Sequence, residues 1–107
     1  MNPEETVAAL RRTVVEIDRL VPFSRRRWDG ERLLQLGVMK LWIDVGNYAK
    51  AYMDASGMYG VEPWSKLYGY RSVLSHQLPE DLDEDRLWQD ANSARRVLEW
   101  VDAATPT

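Results

Sequence analysis

Glu62-Pro63-Trp64-Ser65-Lys66-Leu67-Tyr68-Gly69-Tyr70-Arg71-Ser72-Val73-Leu74-Ser75-His76-Gln77-Leu78 contains the only histidine of the chain. Pro63 suits the first turn of a helix, where a missing N–H costs nothing. Trp64, Leu67, Tyr70 or Arg71, and Leu74 then recur at helical spacing and predict an inner face. Gly69 is read as the point where a neighbour approaches closely. Arg71 and His76 are five residues apart, which on a helix is roughly 140° around and 7.5 Å along. Ser72 shares a face with His76. An extended Arg71 can still meet His76 over one phosphate, especially where the helix frays after Ser75. Histidine titrates near neutral pH, and arginine is a permanently charged, fork-shaped phosphate ligand. No other stretch of the chain offers chemistry on a phosphodiester.

On either side the pattern is helical. Val7, Leu10, Val14, Ile17 and Val21 alternate steps of three and four, a narrow seam that Pro22 ends. Residues 23–30 read as a loop or broken turn. Its Arg25, Arg26 and Arg27 are candidates for phosphate-backbone contact, with Trp28 available for stacking; a charge run is otherwise a solvated loop. Asp29 or Gly30 is the expected cap of the next helix, which runs over about residues 31–55, nearly 40 Å at 1.5 Å per residue. Leu34, Val38, Leu41, Val45, Ala49 and Tyr52 mark its stripe, and Leu33, Trp42 and Met53 broaden it. Such breadth calls for contact on more than one side, with two helices or with a second subunit, and together with the Val7–Val21 seam it predicts a homodimer. After an acidic turn, residues 79–85, the last helix carries Leu87, Ala91, Ala94, Leu98 and Val101. Asp83 or Asp85 is its expected cap, with docking of a basic partner as the acidic turn's alternative use. Residues 103–107 read as a tail. The fold predicted is all-α, an antiparallel bundle of four main helices, possible extra turns aside, in one domain.

Composition narrows the function. The chain has 107 residues, 45% hydrophobic and 29% charged, with a net charge of −3. General affinity for nucleic acid would favour a basic chain, so any such contact is local or shared with a partner. There is no cysteine and one histidine, which leaves little to hold a transition metal. No Walker loop or dinucleotide fingerprint appears, so neither metal nor cofactor is expected. No apolar run approaches the length of a membrane span, and the acidic start is unlike a signal peptide; a cytoplasmic protein is expected.

The run Pro63-Trp64 through Gly69 to Arg71 and His76 resembles the Arg-x4-His signature of HEPN domains, especially the HepT-like toxins of prokaryotic toxin–antitoxin pairs. The resemblance extends to the long helix at Leu33–Tyr52 and the last helix at Asp83–Trp100, with Trp88 soon after the acidic turn. It implies a homodimer that cleaves RNA without metal in a cleft between two motif helices. His76 would be general acid/base, Arg71 would hold the scissile phosphate, and Ser72 would orient His76 where the family often has Asn or Asp. Tyr68 and Tyr70 are candidates for base stacking, or for packing. In the family a tyrosine two residues after the histidine commonly receives AMP from a nucleotidyltransferase antitoxin; here that position is Leu78. The alternative is an inactive HEPN module that binds a nucleotide, RNA or protein. A plain dimeric helical protein, with Arg71 and His76 incidental, is the third reading.

Overall fold

The computed structural model describes residues 1–105, apart from the side chain of Pro79. Among them the chain forms α1 (Pro3–Leu20), α2 (Arg25–Asp29), α3 (Arg32–Ser56), α4 (Trp64–Ser75), α5 (Glu84–Asn92) and α6 (Ala94–Ala104), with a 3-10 turn at Pro79–Asp81 and no strand. No helix of the described residues is long and apolar enough to cross a membrane.

Local chemistry starts and stops these helices. The Asn2 side chain accepts from Glu5 N at 2.8 Å, and Glu4 and Glu5 fill the first turn of α1, where acids favour the helix dipole. Val21 turns extended at the far end, as the residue before a proline tends to. Val7, Leu10, Val14 and Ile17 are all buried, because α1 packs on both α3 and α6. One chain therefore covers that part of the seam, which by itself calls for no second subunit.

The 23–30 segment holds the short helix α2 in place of a loop. Trp28 is fully buried, and its indole N–H donates to Glu84 O at 3.2 Å. Gln35 donates to Trp28 O at 2.8 Å. Neither Asp29 nor Gly30 caps α3; Glu31 holds that position without a side-chain bond, while Asp29 accepts from Arg25. The 25 residues of α3 span about 37 Å and account for most of the 41 Å long axis. Gly57, at φ 76°, closes the helix in the left-handed region, which costs glycine little. Val38, Trp42, Val45, Ala49, Tyr52 and Met53 are buried as the stripe predicts, whereas Leu33 is 85% exposed.

Pro63 stands just before α4, one place short of the first turn, and Glu62 Oε2 accepts from Lys66 N at 3.1 Å. Trp64, Leu67 and Leu74 are buried, and Trp64 lies 4.2 Å from the Tyr52 ring. The predicted last helix is two. Asn92 donates to Trp88 O at 2.8 Å, Ser93 Oγ donates to Gln89 O at 3.0 Å, and Ser93 N bonds to Asp90 O at 3.0 Å. These bonds tighten the last turn of α5 and compete with its continuation. α6 runs to Ala104, so the first two residues of the expected tail are helix, and residues 106–107 lie outside the described residues.

Asp83 caps α5, accepting from Arg86 N at 3.0 Å. Asp85 pairs with Arg25. Much of the acidic turn thus has a structural use. Asp83→Ala is expected to cost about 1 kcal/mol, the usual loss for such a cap; urea unfolding against the parent measures it.

The order of packing is α6 on α1, α1 on α3, α3 on α4. Among the described residues α4 has no comparable packing against α5 or α6. The ring of helices is open there, leaving a groove of about 550 Å³. Trp42 meets Tyr70 edge-on at 5.9 Å. Two cation–ring contacts span from wall to wall, Lys66 over Trp100 at 5.6 Å and Arg86 over Tyr70 at 5.8 Å.

Candidate functional site

Gly46 fixes how α4 sits on α3. A Cβ there would lie 2.0 Å from Arg71 Cβ and 2.9 Å from Leu67 O. At Gly69 a Cβ would meet nothing within 4 Å. The close approach is therefore at Gly46, and Gly69 does not provide it.

This crossing lays the stem of Arg71 over α3. Its Nε donates to Asn47 Oδ1 at 2.9 Å, and Nη1 lies 3.5 Å from Ser75 Oγ. The guanidinium carbon stands 5.9 Å from the Tyr68 ring centre, within cation–π range. Among the described residues no carboxylate forms an ion pair with Arg71. Its charge is oriented by neutral groups and is not neutralised.

His76 is the C-cap of α4 and is exposed. Ser75 Oγ donates to Ser72 O at 3.2 Å and lies 3.4 Å from His76 Nδ1. A hydroxyl has one hydrogen and two lone pairs. With that hydrogen on Ser72 O, the Nδ1 contact needs the hydrogen on Nδ1. In that arrangement Nε2 is the open acceptor and can take a proton. The Arg71 and His76 contacts to Ser75 are both long, near the outer limit of hydrogen bonding.

Ser72 is not the residue beside His76. Its Oγ donates to Tyr68 O at 3.2 Å, so the orienting position falls to Ser75. Asn47, 24 residues before Arg71, belongs to no local motif and was invisible to spacing. Ser75 carried a signal, since it adjoins His76 and follows Arg71 by one helical turn.

The other candidates divide. Tyr68 is at the site. Tyr70 is not: its ring faces the groove on another flank of α4, its hydroxyl is buried without a hydrogen bond of ordinary geometry, and burial, with Asp90 nearby, pushes its phenol far above the usual range. Arg25 is paired with Asp29 and Asp85 and stands over Trp88. Arg26 and Arg27 are exposed, but Trp28 is buried and cannot stack on a base. Asn47 lies fifteen residues beyond Arg32, the first residue of α3, roughly 22 Å along the axis. The arginine segment, just before that end, does not flank Arg71 within one chain.

No cluster of three or more histidine, aspartate or glutamate side chains suited to a metal occurs among the described residues. The arrangement can bind an oxyanion at Arg71 and accept a proton at His76. No family model, no curated protein and no solved structure matches the chain.

Proposed function

We propose that the chain is a metal-independent endoribonuclease of the HEPN type, acting as the toxin of a toxin–antitoxin pair. The observation that carries this is the run Asn47–Arg71–Ser75–His76, which holds an unneutralised guanidinium and an exposed imidazole at one end of α4. In the reaction, His76 Nε2 takes the proton of a ribose 2′-hydroxyl. The 2′-oxygen bonds to phosphorus, and the bond to the 5′-oxygen breaks. Arg71 holds the charge that develops on the phosphorane oxygens, where fixed donors are most effective. The leaving oxygen takes its proton from the His76 imidazolium of a second copy, so one imidazole gains a proton as the other loses one. The products are a 2′,3′-cyclic phosphate and a 5′-hydroxyl.

A homodimer belongs to this proposal. Val73 and Leu78, at the motif end of α4 and just beyond it, are 57% and 58% exposed and are available to a second motif helix. Sedimentation should give a dimer at micromolar concentration; a monomer would count heavily against a shared cleft. A nucleotidyltransferase-type antitoxin is the proposed partner. Leu78 offers no hydroxyl to modify, so neutralisation would rest on another residue or on binding.

Cleavage is expected to continue undiminished in EDTA. Loss of activity that Mg²⁺ or Mn²⁺ restores would point to a carboxylate site instead. A second reading, a HEPN module that binds a nucleotide, RNA or protein without cleavage, is favoured by the back-bonded Ser72 hydroxyl, which leaves His76 without the expected orienting partner. Total RNA incubated in chelator separates the two readings.

A further inference from the structure

The groove between α4 and the α5–α6 pair contains neither Arg71 nor His76; Val73, in its lining, is shared with the surface offered to a second copy. Its volume, about 550 Å³, is in the range of small-molecule sites. Three residues that line it carry buried polar atoms without a hydrogen bond of ordinary geometry: Trp42 Nε1, Tyr70 Oη, which has Asp90 nearby, and Gln77 Oε1. Such orphans are uncommon in folded proteins, and three of them share one groove.

We propose that this groove binds an uncharged aromatic heterocycle whose edge carries an amide-like acceptor and donor side by side. The indole N–H and the phenol O–H call for an acceptor. The Gln77 carbonyl oxygen calls for a donor. No hydrogen bond of ordinary geometry holds the Tyr70 hydroxyl or the Gln77 carbonyl in place, and in the proposed complex both side chains turn toward the ligand. The aromatic walls, Tyr70 on α4 and Trp100 on α6, favour a flat molecule.

Charge excludes a nucleotide here. Arg86 is paired with Asp90 at 3.0 Å, and Asp83 is occupied in capping α5. Lys66, over Trp100, is a single cation on a flexible stem, a poor cradle for a phosphate chain. A neutral ligand enters by displacing that side chain.

The test uses the full ¹⁵N-labelled chain and quinazolinone, a neutral bicyclic amide, as probe. Titration should shift the indole N–H resonances of Trp42 and Trp100 to saturation. The N-methyl derivative, which lacks the donor, should bind about tenfold more weakly, the worth of one hydrogen bond near the upper end of its usual range. Tyr70→Phe should weaken quinazolinone binding by a similar factor, and Val97→Trp, which fills the groove, should abolish it. Circular dichroism verifies the fold; if Val97→Trp unfolds, the methylated probe and Tyr70→Phe still decide. No saturable shift at millimolar quinazolinone would overturn the proposal. So would parent-level affinity both for the methylated probe and in Tyr70→Phe.

Discussion

His76→Ala is expected to lower RNA cleavage by about 10²–10⁴-fold, the usual contribution of a positioned acid or base, and to leave the helices intact. The imidazole is exposed, and Ser75 Oγ is its one side-chain hydrogen-bond neighbour among the described residues, so truncation removes no core packing. Arg71→Ala should be similarly severe. Its stem covers Gly46, so part of any stability change would come from lost packing, and thermal unfolding separates that from catalysis. Arg71→Lys should not fully rescue, because an ammonium cannot make a two-pronged phosphate contact or keep the guanidinium geometry toward Asn47. The double variant should be little worse than either single one, since residues acting as a unit are non-additive. Mixed His76→Ala and Arg71→Ala subunits would regain partial activity only where a pocket draws its arginine and histidine from different chains. Single-turnover cleavage with folded variants is the measurement. Parent-level rates would remove the nuclease reading and leave the binding module.

Gly46→Val should destabilise the chain by about 3 kcal/mol, the upper end of typical overpacking. The first atom of any side chain there would overlap Arg71 Cβ and press on the Leu67 carbonyl. Neither is the far end of a flexible chain, so α4 must lift off α3. The same movement would carry Arg71 away from Asn47, and activity should fall with stability. Gly69→Ala has the opposite expectation. Its added methyl meets nothing within 4 Å, and removing a helix-interior glycine gains about 0.5–1 kcal/mol. Urea midpoints of the two variants should move in opposite directions. A harmless Gly46→Val would show that the crossing is looser than described.

The contrast between these glycines marks what can be read from sequence. Apolar spacing located α1, α3 and α4 because helix faces repeat locally, and the acids before α5 marked its cap for the same reason. Leu87, Ala91, Ala94, Leu98 and Val101 keep helical spacing straight through Ser93, so the break between α5 and α6 left no mark on the apolar pattern. Which glycine a neighbour crosses depends on which faces meet, and both Gly46 and Gly69 sit inside helices. Arg71 and His76 were legible as residue types at a known spacing. Asn47 was not, because its bond to Arg71 joins separate helices. Trp28 looked available beside three arginines, yet its ring is needed where α2, α3 and α5 meet. The open side between α4 and α6 follows from packing order, which periodicity does not encode.

Intramolecular attack of the 2′-hydroxyl, the step proposed for His76 and Arg71, leaves a distinctive pair of RNA ends. Analysis of the ends left on an RNA cleaved by the purified chain in EDTA tests it most directly. 2′,3′-Cyclic phosphate and 5′-hydroxyl ends are expected, with neither formed by His76→Ala. Uncut RNA, or 3′-hydroxyl and 5′-phosphate ends formed equally well by His76→Ala, would contradict this mechanism.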